Sequence, residues 1–389
     1  MVKNNKKPRL RFKGFTDEWE QRKLKDFIIY KSSSLTIKDS DINGEYDLYD
    51  ANSIIGKTNW GQISSDYISI IKDGAGVGRI RLMQKNSAIL GTMGALITEQ
   101  CCLKFIFSLL TQNDLSQKYS GSTIPHIYFK DYGEDKYYMP NSIEQTKIGD
   151  FFYNLDNLIT LHQRKYDKLL NVKKALLDKM FPKNQEKTPK IRFKGFFDAW
   201  EQRKLGELGC CQSGIGFPDK EQGGEIGIPF YKVSDMNIYG NEQEMLISNN
   251  YVTLEQIQKM KWRPIYDVPS IIFAKVGAAV MLNRKRLCRK PFLIDNNTMA
   301  YKLSNKWDIN YCKIEFERLD LTKYIQIGAL PSYNGKDVEN IETIIPKNLN
   351  EQTKIGNFFY NLDNLITLHQ RKCEKLKNIK KALLDKMFV

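Results

Sequence analysis

Little in this sequence could hold a metal, a disulfide framework or a membrane span. It has three histidines, and its seven cysteines (Cys101, Cys102, Cys210, Cys211, Cys288, Cys312 and Cys373) show no C-x-x-C spacing. Two adjacent pairs and an odd total suit neither a zinc site nor a paired framework, and are expected of thiols kept reduced. No stretch approaches 18 consecutive apolar residues, so no helix is expected to cross a bilayer. The opening MVKNNKKPRL is basic but lacks the apolar core of a secretory signal, and the expectation is a cytoplasmic, bacterial-type chain. Catalytic signatures are missing too. There is no G-x-x-x-x-G-K-[ST], no H-E-x-x-H, no G-x-S-x-G, and no N-P-P-[FY] of the kind amino-methyltransferases use to hold a flipped adenine.

Positive charge, by contrast, is in excess. The 389 residues carry a formal charge of +15, which in a globular composition with 41% hydrophobic residues points to a polyanionic partner such as nucleic acid. The alternative is lysine that merely aids solubility. The distribution is uneven: residues 25–141 hold 12 basic and 13 acidic side chains, and residues 206–348 hold 18 and 17. The excess lies around these two regions, so charge alone does not make them readers of DNA.

The dominant feature is an internal repeat. Pro8–Leu24 (PRLRFKGFTDEWEQRKL) recurs at Pro189–Leu205 (PKIRFKGFFDAWEQRKL) with 13 of 17 positions identical, and Glu144–Phe181 recurs at Glu351–Phe388 with 33 of 38. The order is A-x-B-A′-y-B′. The intervening x and y segments are far less alike, yet Lys72-Asp73-Gly74-Ala75 aligns with Lys275-Val276-Gly277-Ala278. Pro125, Lys130, Asp131 and Pro140 align with Pro331, Lys336, Asp337 and Pro346 at one offset. One fold has kept its frame twice and changed its details, as expected if each copy recognises something different.

B and B′ are expected to be helices. Asn141-Ser142 and the Asn348–Asn350 cluster can cap the first turns, no proline interrupts, and apolar residues recur at spacings of three and four. In the first rod these are Ile148, Phe152, Leu155, Ile159, Leu169 and Leu176; in the second, Ile355, Phe359, Leu362, Ile366, Leu376 and Leu383. Such a stripe needs a mate, and each rod, about 57 Å long at 1.5 Å per residue, has a near-identical twin. Antiparallel pairing about a pseudo-twofold axis is the expectation, with His162 and His369, the same repeat position, as a polar layer fixing register rather than a metal site. The x and y segments are expected to be α+β, with strands at Tyr67–Ile71, Ile271–Phe273 and Ile341–Ile345 and short helices at Thr253–Lys261 and Phe105–Leu110. The fold class is therefore α+β: domains over 1–141 and 184–348, separated by paired helices over 142–183 and 349–389.

Three loops per copy carry polar chemistry. Gly74-x-Gly76-x-Gly78 has the look of a nucleotide loop, but the second copy, Gly277-Ala278-Ala279-Val280, lacks the later glycines, which favours a tight turn. Around the turn come Lys72, Arg79, Arg81 and Lys85 in one copy, and Lys275, Asn283, Arg284, Lys285, Arg286 and Arg289 in the other. Arg and Asn beside closely approaching backbone suit phosphates and base edges; a solvated basic loop is the alternative. A second loop offers Ser122, Thr123, His126, Tyr128 and Lys130, matched by Ser332, Tyr333, Asn334 and Lys336. A third offers Asn52 and Ser53, matched by Lys232, Ser234 and Asn237. No acidic pair recurs in both copies to suggest catalysis.

The repeated RFKGFTDEWEQRKL and RFKGFFDAWEQRKL, with EQTKIGDFFYNLDNLITLHQRK and its twin, resemble the target-recognition openings and spacer helices of type I restriction–modification specificity subunits. IPFYKVSDMN (Ile228–Asn237) and GSTIPHIYFKDY (Gly121–Tyr132) resemble target-domain motifs, whereas LYDANSIIG departs from the former. The resemblance covers the whole chain. It implies a non-catalytic subunit that reads a bipartite, asymmetric site on double-stranded DNA, one half per domain, with the unread spacer set by the helices. It implies two modification subunits as partners and restriction subunits in the full complex. S-adenosylmethionine, ATP and Mg are expected on those partners, and no cofactor, metal or membrane is expected for this chain. An enzyme with unfamiliar motifs and a pure assembly scaffold remain as alternatives.

Overall fold

The computed structural model describes residues 6–121, 123–183, 186–326 and 330–389; Ser122 and part of the linker after the first rod (184–185) lie outside the described residues. The chain forms two compact units. The first comprises Met1–Lys165 and His369–Val389, the second Tyr166–Leu368. Each unit thus takes one x or y segment together with parts of both rods.

Both rods are single helices, Ser142–Lys179 and Leu349–Met387. Asn141 Oδ1 accepts from the Glu144 backbone at 2.9 Å, and Asn348 Oδ1 accepts from the Asn350 backbone at 2.8 Å, so the polar clusters do cap first turns. The glycine in each first stretch has a packing cause. A Cβ on Gly149 would lie 2.6 Å from the Phe105 backbone nitrogen, and one on Gly356 2.4 Å from that of Tyr311.

Unit 1 grows from a four-stranded antiparallel sheet in the order Ile29–Ser32, Met93–Ile97, Tyr67–Ile71, Ile80–Met83. Beside it a three-stranded sheet runs Ile54–Thr58, Tyr46–Tyr49, Ser87–Ile89, the last pair parallel. A helix, Leu103–Gln112, sends Phe105, Ile106, Leu109 and Leu110 into the core. The repeated A segment closes the unit: Glu20–Lys23 pairs with Lys136–Met139, and Arg11 clasps the Glu144 carboxylate through two bonds of 2.7 Å. Trp19 Nε1 adds a third bond to that buried carboxylate at 3.3 Å. Phe388, from the end of the second rod, packs among Trp19, Phe105 and Phe152.

Unit 2 repeats this order strand for strand. Its four-stranded sheet runs Gly209–Ser213, Thr298–Leu303, Ser270–Ala274, Lys285–Cys288, and its three-stranded sheet Tyr251–Val252, Ile228–Tyr231, Leu293–Ile294. Glu201–Lys204 pairs with Glu342–Ile345. Arg192 clasps Glu351 at 2.6 and 2.8 Å, Trp200 adds its indole at 3.3 Å, and Phe181 packs among Trp200, Tyr311 and Phe359. The expected strands and helices are present with small shifts. The helix expected from Thr253 begins at Leu254 because the Thr253 side chain is its cap, accepting from Gln256.

Within each unit the rods run antiparallel. In unit 1 Lys380 meets Asp156 at 2.6 Å and His162 Nδ1 lies 2.9 Å from His369 Nδ1. Ile148, Phe152, Leu155, Ile159, Leu376 and Leu383 join its core. In unit 2 Lys173 meets Asp363 at 2.6 Å, and Ile355, Phe359, Leu362, Ile366, Leu169 and Leu176 join the core. Lys173, which interrupts the stripe in sequence, is buried because it has that carboxylate.

Candidate nucleic-acid interface

Each unit gathers its three sequence-selected loops around the turn that leaves its central strand. In unit 1 the Gly74 amide donates to Pro125 O and the Ile127 amide to Lys72 O, both at 2.9 Å. In unit 2 the Gly277 amide donates to Pro331 O at 2.9 Å and the Tyr333 amide to Lys275 O at 3.3 Å. The glycines serve the turn. Gly74, Gly76, Gly78 and Gly277 all have φ between 80° and 87°, and a Cβ on Gly78 would lie 2.5 Å from the Ser116 nitrogen.

The third loop is tied to the same hub by arginine. Arg79 donates to Asn52 Oδ1 at 2.8 Å and Ala51 O at 2.5 Å, while Arg81 donates to Asn52 O at 3.1 Å. Arg284 donates to Asn237 Oδ1, and Arg286 Nε to Asn241 O at 2.6 Å. The strand ladders make these residues equivalent. Arg81 faces Ser69 and Arg286 faces Ile272, at the same place in their central strands, and Arg79 and Arg284 each precede their strand by one residue. Arg79 stands seven positions after Lys72, and Arg284 nine positions after Lys275. That difference, taken up by the 3-10 turn Ala278–Leu282, hid the match in the sequence.

Most sequence-selected side chains reach solvent here. Asn52, Ser53, Arg79, Thr123, Tyr128 and Lys130 are exposed in unit 1, as are Ser234, Asn237, Asn334 and Lys336 in unit 2. Lys85 and Arg289 are exposed too, but they follow Met83 and Cys288, which pair with Tyr67 and Ser270 at the far end of each hairpin, so the structure does not bring them to the turn. Lys72, Arg81, His126, Lys232, Lys275, Arg284 and Ser332 are half-buried. Several are already engaged. Lys130 Nζ sits 5.4 Å over the Tyr128 ring, Lys232 Nζ donates to Gln222 at 3.0 Å, Arg289 meets Glu244 at 3.1 Å, and Asn334 caps Gly335–Glu339.

Three residues proposed as contacts are corrected. Tyr333 is buried with its hydroxyl on Ala274 O at 2.5 Å, so it anchors the loop from inside. Asn283, in the left-handed region, bonds Leu319 O and the Leu321 amide and staples the turn instead. Lys285 turns inward to Asn283 Oδ1 at 2.6 Å and to Leu319 O, and burial pulls its ammonium down to about 8. Sequence reasoning also missed Asp73, whose carboxylate takes His126 Nδ1 at 2.7 Å. The second copy has Val276 there, so the repeat carried no signal for it. Among the described residues no group of three or more ligating side chains could hold a metal, and no helix is long and apolar enough to cross a membrane. Exposed donors and a lysine held over an aromatic face form a surface able to grip phosphates and address base edges.

Comparison with known proteins places the chain in a family. The family model described as type I restriction modification DNA specificity domain matches residues 16–171 and again 198–378, and the chain belongs to that family. It is a non-catalytic specificity subunit, conferring DNA sequence specificity within a type I restriction–modification system. It is 23% identical to the type I restriction enzyme MjaVIII specificity subunit of Methanocaldococcus jannaschii, over 95% of this chain and 92% of that one. The crystal structure of the type I restriction–modification S subunit from M. genitalium superposes with a TM-score of 0.66 at 18% identity, covering 98% of this chain and 99% of the other.

Proposed function

We propose that the two units read the two halves of a bipartite, asymmetric site on double-stranded DNA, and that the rods set the unread spacer. The observation that carries this is the repetition of one three-loop cluster on one strand order, with different side chains on the loops: His126 and Tyr128 in one unit stand where Ser332 and Asn334 stand in the other, beside a lysine common to both, Lys130 and Lys336. A shared frame with divergent tips is what independent recognition of two sequences requires. The complex would hold two modification subunits carrying S-adenosylmethionine, with restriction subunits supplying ATP- and Mg-dependent steps. Support for a pair of identical partners lies on the rods. Leu158 and Leu161 are 47% and 46% exposed, and their repeats Leu365 and Leu368 are 47% and 45% exposed, so the same apolar patch occurs twice. The test is a chimera in which residues 25–141 come from another family member. One half of the methylated motif should change and the other should persist; a change in both halves would sink the reading.

A further inference from the structure

Resting on that reading, we propose that Asn52 and Asn237 are equivalent specificity-determining residues, and that Arg79 and Arg284 are positioning residues that turn the asparagine amide outward. The argument begins with hydrogen-bond chemistry. A guanidinium only donates, so the amide atom facing it must be the oxygen, and the amide nitrogen must point the other way. Arg79 takes Asn52 Oδ1 at 2.8 Å, Arg81 takes the same residue's backbone oxygen at 3.1 Å, and Arg284 takes Asn237 Oδ1. Both asparagines are exposed, and both lie in turns pinned by an aspartate. Asp50 accepts from the Asn52 and Ser53 amides at 2.7 and 2.6 Å, and Asp235 accepts from the Lys232 amide at 2.8 Å. Rotation of either amide would set its NH2 against a guanidinium, so the orientation is locked.

The consequence is chemical. An asparagine free to use both amide atoms pairs adenine bidentately, accepting from N6 and donating to N7. Here the oxygen already accepts from an arginine, so what Asn52 and Asn237 turn outward is the amide NH2, a donor. Their target is an acceptor on a base edge: guanine O6 or N7, thymine O4, or adenine N7. The arginines act through the asparagine, Arg79 giving Nη2 to the Ala51 and Asn52 oxygens and Arg284 giving Nη1 to Asn237. The device occurs once per unit although the turns differ by two residues, so a structural constraint and not sequence spacing has kept it.

The test uses the full chain co-expressed with its modification subunit, and reads the methylated motif genome-wide. Asn237→Asp keeps the acceptor for Arg284 and removes the outward donor. It should fold normally and lose discrimination at one base pair of one half-site, about tenfold or more. Arg284→Ala should relax that same base pair, and Arg284→Lys, which can still donate to Oδ1, should restore part of it. Asn52→Asp should act likewise, on the other half-site. An unchanged motif in Asn237→Asp overturns the assignment, as does relaxation by Arg284→Ala at a different base pair, which would make the arginine the reader. Failure of the underlying reading looks different: the unsubstituted complex would then methylate no bipartite motif at all.

Discussion

The two units share a strand order, a tryptophan–arginine–glutamate clasp and an aspartate–lysine contact between rods, yet they treat that last contact in opposite ways. In unit 1 Asp156 and Lys380 lie in an open cleft of about 440 Å³ bordered by Phe107 and Thr111, and Asp156 keeps about a third of its side-chain surface. In unit 2 the equivalent Asp363 and Lys173 are covered, with Asp363 at 3% and Lys173 at 8% side-chain exposure. The helix Ile309–Arg318 adds Lys313 and Glu317 to make a charge-balanced quartet. The rods are nearly identical in sequence, so the difference comes from the recognition domains that rest on them. A repeated ion pair therefore has no fixed worth; its surroundings set it.

The largest expected effect separates the units on this point. Asp363→Ala removes the carboxylate that both Lys173 and Lys313 meet, leaving Lys173 only the partly exposed Glu317, and should cost about 3–5 kcal/mol of unit 2 stability. Asp156→Ala removes a partly solvated pair and should cost about 1 kcal/mol or less. Hydrogen exchange resolved by unit would measure both, and equal costs would erase the contrast. The clasps should behave oppositely. Glu144→Ala and Glu351→Ala each strand an arginine and a buried indole N–H, and each should cost about 2 kcal/mol in its own unit. The Arg11 and Arg192 guanidinium groups are both raised above the ordinary arginine range, chiefly by the hydrogen bond to that glutamate, so the clasp is the same in kind. A twofold disparity in measured cost would show that only one copy relies on it.

A third, smaller effect makes unit 2 imitate unit 1. Lys285 occupies the strand position held by Ile80, since each opens the fourth strand of its sheet. Burial lowers its folded pKa to about 8, whereas the unfolded chain binds that proton up to about 10.4. Between these values the unfolded state holds more protons, so the unit's stability should rise as pH rises through that window. Lys285→Met should abolish the rise and, at pH 7, leave stability unchanged or slightly higher. A persistent rise in the variant would assign it to another group.

Legibility followed the same division. The repeated segments could be read almost completely: a capping asparagine, a stripe of apolar residues and a duplicated partner determine a paired helix from local chemistry. Tyr67–Ile71 was equally plain because five consecutive apolar or small residues bounded by turns suit a fully buried strand, which it is. Strand order was not legible, since pairing Ile29–Ser32 with Met93–Ile97 depends on closures across more than sixty residues. The loops were found, but their internal ties were not. Tyr333 and Lys285 were read as outward because aromatic and basic residues in a loop usually are, and only the positions of Ala274 and Leu319 turn them inward. Arg79 and Arg284 escaped matching because two residues of turn shifted one against the other.

The smallest expected effect lies where the two copies contribute the same residue. His162 and His369 face each other through Nδ1 at 2.9 Å, their ring centroids 5.1 Å apart. An N–H···N bond needs one donor and one acceptor nitrogen, so at least one ring is neutral whenever the bond exists. Desolvation, then His162, then Lys165 and Lys372 hold His369 below the ordinary histidine range. A histidine with a lowered folded pKa takes up protons more readily when unfolded, so its contribution is present above about pH 6.5 and is lost as pH falls below that value. The rings are partly solvated, which keeps the effect small: a fall of about 2 °C in Tm between pH 7.5 and 5.5 beyond that of a variant lacking the pair. His162→Leu together with His369→Leu should remove this increment. His369→Leu alone should remove all of it, whereas His162→Leu, which takes away the second cause and leaves the desolvation, should remove only part. Equal loss from both single substitutions would show that the contact between the rings, and not the burial of His369, sets the shift.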